Sequence, residues 1–128
     1  MDIFNSFSLA GKTVLVTGAS SGIGAHLARV AAQAGARVVL AARRLERLGN
    51  VAEDIQREGG QALAVTLDVT DRASVEAAFD AAEAAFGVVD VLLNNAGIGN
   101  AQQVLNVSEE DWRQMLSTNL DGVWRVAQ

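Results

Sequence analysis

The 128-residue chain contains no cysteine and no proline. Without cysteine there is no disulfide framework and no thiolate chemistry, and the redox compartment stays undetermined. Without proline, element boundaries have to be read from Gly, Asn and Asp. Tyrosine is also missing, the only lysine is Lys12 and the only histidine is His26. A lone histidine with no cysteine or acidic cluster near it does not make a metal site, so no metal is expected and His26 reads as a packing or surface residue. The net charge is −5 and there is no basic stripe. Nucleic acid and anionic membranes are therefore disfavoured as main partners. No apolar segment approaches the length of a bilayer span, and an acid, Asp2, stands where a secretory signal carries its basic region, so the expected location is cytoplasmic.

Half of the residues are apolar, and a chain of this length buries about two-thirds of the surface it exposes when unfolded. One domain, residues 1–128, is expected. Its most informative stretch is Thr17-Gly18-Ala19-Ser20-Ser21-Gly22-Ile23-Gly24, which follows the apolar run Val14-Leu15-Val16 and opens an amphipathic segment. A strand that delivers a helix N-terminus to a phosphate needs glycines at the turn, because a Cβ would strain the backbone or hold the anion away from the N–H groups. The competing reading is that the glycines only permit a tight turn and close helix–strand packing. Gly11-Lys12-Thr13 imitates a nucleotide-triphosphate loop but is discarded, since Ser6 stands where that motif needs glycine and the motif precedes its strand instead of following it.

Residues 1–11 read as a lead-in, and Thr13–Thr17 as a first strand, apolar on both faces as in a covered parallel sheet. Ile23, Leu27, Val30, Ala31 and Ala34 recur with helical period up to Gly35. Val38–Ala42 is a second strand, Leu45, Leu48, Ala52 and Ile55 mark a second helix closed by Gly59-Gly60, and Ala62–Val69 is a third strand. Val75, Ala78, Phe79, Ala82 and Phe86 mark the next helix, and a fourth strand over Val88–Leu93 runs into Asn94-Asn95-Ala96-Gly97. The last helix starts near Ser108, whose spacing to Asp111 fits a capping box. Trp112, Met115, Leu116, Val123 and Val126 form its apolar stripe, and Gln114, Asp121, Arg125 and Gln128 its wet one. Trp112, Trp124, Met115 and the four phenylalanines read as core or interface.

The order βαβαβαβα with short connections predicts an α/β fold with a doubly wound, Rossmann-like parallel sheet and strand order 3-2-1-4, whose ligand site lies beyond the carboxyl ends of the strands. The helix stops at Gln128 without a capping glycine, so the domain is expected to be incomplete at its C-terminus. Strand four then forms an exposed edge, and homo-oligomers or self-association are expected.

An acid at the end of the second strand would hydrogen-bond the ribose 2′-OH of NAD, whereas a basic residue favours the 2′-phosphate of NADP. Here Ala41-Ala42-Arg43-Arg44 offers no acid before Glu46, so NADP(H) is favoured over NAD(H), with Arg43 as the candidate ligand. The other reading of Arg43 and Arg44 is a solvated helix start. Asn119 falls within the apolar stripe, where a buried amide is either pinned to nearby backbone or holds a water for chemistry.

The glycine string resembles the T-G-x-x-x-G-I-G signature of the short-chain dehydrogenase/reductase family, and Asn94-Asn95-Ala96-Gly97 matches a second motif of that family at the end of a later strand. The resemblance runs from Gly11 to Gln128 but covers only the first half of the family's pattern. It implies that Gly18, Ser20, Ser21, Gly22, Ile23 and Gly24 line the pyrophosphate, that Asp68-Val69 meets the adenine, that Asn95, Ala96 and Gly97 lie beside the adenosine ribose, and that Asn119 is a catalytic residue. Family members move hydride between NAD(P) and an alcohol or ketone, using a Ser and a Tyr-x-x-x-Lys pair whose lysine lowers the tyrosine pKa. With no tyrosine, the chain reads as the cofactor-binding half of such an oxidoreductase, inactive alone. A non-catalytic dinucleotide-binding or assembly module is the alternative. A methyltransferase with a similar glycine loop ranks behind both, because it leaves the Asn-Asn-Ala-Gly segment unexplained.

Overall fold

The computed structural model describes residues 3–128, apart from the side chain of Phe4. The expected lead-in thus has Met1 and Asp2 outside the described residues. A short helix, α1 (Ile3–Ser6), precedes β1 (Thr13–Thr17), α2 (Gly22–Gln33), β2 (Arg37–Ala42), α3 (Gly49–Arg57), β3 (Gln61–Thr66), α4 (Arg72–Phe86), β4 (Val91–Leu93), α5 (Glu109–Leu116) and α6 (Gly122–Ala127). The strands form one parallel sheet in the order β3-β2-β1-β4. In its register Val14 lies between Val38 and Val91, and Val38 between Val14 and Ala62.

Because strand side chains alternate, β1 and β2 feed two cores at once. Val14, Val16, Val38 and Leu40 pack with Ala25, Ala28, Val51 and Ile55 of α2 and α3. Leu15, Val39 and Ala41 pack on the opposite face with Val75, Ala78, Ala82 and Val126 of α4 and α6. The result is three layers, helices over both faces of a sheet whose central strand, β1, is buried throughout. The strands' carboxyl ends all point to one edge, where the loops after β1, β2, β3 and β4 meet.

Several elements depart from the sequence-based expectation. β3 ends at Thr66, not Val69. Leu67 N still donates to Ala42 O at 2.9 Å, but Asp68 Oδ1 accepts from Thr70 N at 2.9 Å and the chain turns out of the ladder. β4 begins at Val91, not Val88. Val88 is 73% exposed, and Asp90 spends its groups on tying the strand start, with Oδ2 accepting from Thr13 N at 2.8 Å. The expected helix from Leu45 is split into a 3₁₀ turn, Leu45–Arg47, and α3, with Leu48 fully buried at the joint.

The packed face of α2 is not the large-residue stripe. Gly24, Ala25, Ala28 and Ala31 are buried, whereas Ile23 is 71% exposed and Val30 44%. Small residues win because the helix approaches the β1 turn too closely for anything larger. A Cβ on Gly24 would collide with Gly18 O and lie 2.5 Å from Asn95 Nδ2.

The last helix is interrupted by one π turn, Ser117–Asp121, between α5 and α6. The extra residue rotates α6 relative to α5, and the apolar stripe does not form as expected. Val126 is buried and Met115, Leu116 and Val123 are half-buried, but Trp112 and Trp124 are each 58% exposed. Phe7 is exposed as well, while Phe79 and Phe86 pack partly against the second core. Asn119 is exposed, not buried. Within the wet stripe Gln114, Asp121 and Gln128 are exposed, but Arg125 is half-buried.

Candidate functional site

A cleft of about 570 Å³ opens at the carboxyl edge of the sheet. Its first wall is the turn after β1. Gly18 and Gly22 hold φ of +63° and +56°, the left-handed region that glycine enters without strain. Ser20 and Ser21 line the cleft beside Gly18. Ser21 is the N-cap of α2, yet its side chain makes no capping bond, unlike Asp71, which accepts from Ala73 N, and Ser108, which accepts from Asp111 N. The first-turn N–H groups of α2 thus keep the positive end of the helix dipole without a side-chain acceptor. Gly22, Ile23 and Gly24 do not line the cleft. Gly24 is buried beneath the turn and Ile23 faces outward.

The second wall follows β2. Arg43 and Arg44 line the cleft, and the 3₁₀ turn brings Arg47 beside them, because residues three apart eclipse on such a turn. None of the three makes an ion pair among the described residues. Three free guanidinium groups on one wall of an acidic chain favour an anionic guest there. Sequence reasoning missed Arg47, although its spacing of three from Arg44 was a usable signal.

The third wall is Leu67–Thr70, after β3. Asp68 Oδ1 accepts from the Thr70 hydroxyl at 2.6 Å and from Thr70 N at 2.9 Å, and Asp68 N donates to Ser74 Oγ at 2.9 Å. The Thr70 hydroxyl is the main reason the Asp68 carboxyl is held below the usual carboxylate range, with Thr70 N and the charges of Arg43 and Arg125 adding to it and partial burial opposing it. Asp68 is therefore an ionised acceptor at neutral pH. Val69 also borders the cleft, although its side chain is buried.

The fourth wall is Asn95, Ala96, Gly97 and Ile98, after β4. Its anchor is Thr17, 1% exposed, whose Oγ1 accepts from Asn95 N at 3.0 Å and Ala96 N at 2.9 Å. Asn95 Nδ2 in turn donates to Thr17 O and Gly18 O at 3.2 and 3.3 Å. The two motifs read from the sequence thus meet as one hydrogen-bonded unit. Thr17 opens the glycine string, but nothing in the sequence pointed to its hydroxyl as the joint between the two motifs. Asn94 faces the other way, donating from Nδ2 to Val123 O at 2.9 Å.

Asn119 does not line the cleft. Its Oδ1 accepts from Ile98 N at 2.8 Å and its Nδ2 donates to Ile98 O at 2.7 Å. Of the two alternatives open for this amide, the structure has it pinned to backbone. Gly97 leaves room for it, since a Cβ there would lie 3.3 Å from Asn119 Oδ1. Ser117 and Thr118 of the same π turn, and Gln114 before it, close the cleft. They were missed because polar residues on a helix read as solvent-facing. His26 is exposed on α2 outside the cleft, and no metal-binding group occurs among the described residues. No helix among them is long and apolar enough to cross a membrane.

Comparison with known proteins agrees with this geometry. The chain is 42% identical over 122 residues to gluconate 5-dehydrogenase of Gluconobacter oxydans, covering 95% of this chain and 48% of the relative. It is 40% identical over 134 residues to D-threitol dehydrogenase of Mycolicibacterium smegmatis, covering 95% and 47%. A crystal structure of a short-chain type dehydrogenase/reductase from Mycobacterium marinum superposes with a TM-score of 0.97 at 39% identity, covering all of this chain and 52% of that one. The chain thus spans about half the length of the curated relatives it matches. The family described as short chain dehydrogenase matches residues 12–128, and the chain belongs to that family.

Proposed function

We propose that this chain is the cofactor-binding half of an NAD(P)-dependent oxidoreductase that moves hydride between the nicotinamide and an alcohol or ketone, with NADP(H) preferred over NAD(H). The observation that carries the reading is the cleft itself. It joins a glycine-built helix N-terminus lacking a side-chain cap to three arginines that have no ion-pair partner among the described residues and to an ionised aspartate. The N–H groups of the turn suit a pyrophosphate, Arg43 with Arg44 and Arg47 suits a 2′-phosphate, and Asp68 suits the amino group of adenine. Gly18, Ser20 and Ser21 are assigned to the pyrophosphate end, with Gly22, Ile23 and Gly24 forming the first turn of the helix behind them, and Asn95, Ala96 and Gly97 to the adenosine ribose. The cofactor supplies the hydride chemistry when bound.

The chain's own residues bind and orient, and they offer no acid to the substrate oxygen. Tyrosine is absent and Lys12, the one lysine, sits at the start of β1 paired with Asp90 at 3.6 Å. The five residues of β1 separate it from the cleft by about 16 Å, at the rise of an extended strand. The chain alone is therefore expected to hold dinucleotide without turnover, and Asn119 to matter through the backbone it holds. A non-catalytic dinucleotide-binding module is the second reading, favoured by the same missing tyrosine. Self-association along the β4 edge and a cytoplasmic location belong to the same proposal.

Calorimetric titration with NADPH and NADH tests it. NADPH is expected to bind more tightly, and Arg43→Ala to weaken NADPH by about tenfold or more, the value of a charge-assisted hydrogen bond, with NADH unchanged. Equal binding of the two cofactors, or an equal loss of both in the variant, would overturn the NADP assignment. Binding of neither would overturn the function.

A further inference from the structure

The helix after β4 reaches both sides of the cleft, and its hold on the β3 side is unused by the function proposed above. Arg125 Nη1 donates to Val69 O at 2.6 Å, across 56 positions of sequence. One turn earlier Gly122 meets the same residue, where a Cβ would lie 2.6 Å from Val69 Cγ2 and 3.0 Å from its Cβ. Val69 is thus seated in a notch left by a missing side chain and latched by a guanidinium. Its neighbours Asp68 and Thr70 line the cleft. Beyond the last ladder bond at Leu67 N, the other hydrogen bonds of this wall among the described residues are local, from Thr70 N and its hydroxyl to Asp68 Oδ1, from Asp68 N to Ser74 Oγ and from Asp71 N to Asp68 O. Among the described residues the bond from Arg125 is the one that ties this stretch beyond the ladder to a distant element.

We propose that Arg125 is a positioning residue for the adenosine end of the cleft: by holding the Val69 carbonyl against α6, it sets where the Asp68 carboxylate stands. The chemistry suits the task. A carbonyl at the end of a strand loop turns readily to water, and a charge-assisted bond from a half-buried guanidinium outcompetes that more strongly than a neutral donor does. Six residues before Arg125, Asn119 grips Ile98 on the opposite wall through two bonds. One helical segment thus spaces the β3 wall from the β4 wall, with the grip on Ile98 inside the π turn and the grip on Val69 in α6 just beyond it.

The proposal rests on the dinucleotide reading, and the test separates the two. The full 128-residue chain is titrated with 2′,5′-ADP, NADPH and reduced nicotinamide mononucleotide, read by amide shifts in ¹⁵N spectra so that millimolar affinities are measurable. Arg125→Met, which keeps the apolar stem and removes the donor, is expected to weaken 2′,5′-ADP and NADPH by one common factor on the order of tenfold. The mononucleotide should move less than twofold. Arg125→Lys should recover part of the loss. Gly122→Ala, which pushes Val69 without touching charge, should reproduce the same pattern.

Unchanged affinity for 2′,5′-ADP in both Arg125→Met and Gly122→Ala would overturn the proposal. So would equal weakening of all three ligands, which is the signature of a generally loosened fold. A wild-type chain that binds none of them overturns the dinucleotide reading and takes this proposal with it, a result distinct from a wild type that binds beside an indifferent variant.

Discussion

Replacing Thr17 by valine removes a hydroxyl and keeps the shape, so the cost can be worked out bond by bond. Thr17 Oγ1 accepts from Asn95 N and from Ala96 N and donates to Leu93 O at a long 3.5 Å. Asn95 N retains a second acceptor, Leu93 O at 3.0 Å. Ala96 N has no second acceptor among the described residues, and in this part-buried corner it is left unsatisfied. One orphaned amide costs about 1–3 kcal/mol, and the weakened bonds to Asn95 N and Leu93 O add less than one ordinary bond. The expected loss is about 2–3 kcal/mol, a large share of a typical domain's stability. Thr17→Ser is the control. It keeps the hydroxyl and deletes one buried methyl, for about 1 kcal/mol. Urea unfolding at neutral pH reads both variants, with an unchanged slope expected because the exposed surface on unfolding is the same. If Thr17→Val unfolds at the same urea concentration as Thr17→Ser, or at a higher one, the hydroxyl is not what joins the two motifs and the account of this corner fails.

The same geometry sets further expected outcomes. Asn119→Ala removes both bonds to Ile98 at an exposed position; about 1 kcal/mol of stability should go, with faster amide exchange at Ile98, and an unchanged exchange rate there would contradict the pinning role. Asp54, Asp68 and Asp90 are all held below the usual carboxylate range, chiefly by the Arg29 side chain, the Thr70 hydroxyl and Thr13 N respectively. Since the unfolded value is about 3.9, their contribution is complete above pH 4 and lost as pH falls through the lower folded values. The urea midpoint should accordingly hold from pH 7 to 5 and drop below about 4, less steeply in Asp68→Asn; an identical acid slope in that variant would remove Asp68 from the account. Because β4 pairs on one side only and Trp112, Leu120 and Trp124 are exposed, light scattering should show mass rising with concentration, and a constant monomer mass would count against self-association.

The sequence by itself determined the architecture because periodicity and punctuation are local properties. Val14–Val16 reads as part of a strand buried on both faces, Val38–Ala42 as a second strand and Gly18 and Gly22 as a turn, and the alternation of elements implies a doubly wound, mostly parallel sheet. It also brought Gly18 and Asn95 to the same edge, since both end parallel strands. Tertiary structure alone decided how far each element runs and which face it shows. Asp68 leaves β3 because Thr70 and Ser74 offer its groups better partners than the ladder does. The packed face of α2 is the alanine face because Gly18 O and Asn95 leave no room for a Cβ at Gly24. A π turn is invisible to a 3.6-residue period, so the expected burial of Trp112 and Asn119 failed while their place on a helix held. The grips of Asn119 on Ile98, Thr17 on Ala96 and Arg125 on Val69 span 21 to 79 positions. Such bonds depend on where separate segments meet in space, which no local pattern of residues encodes.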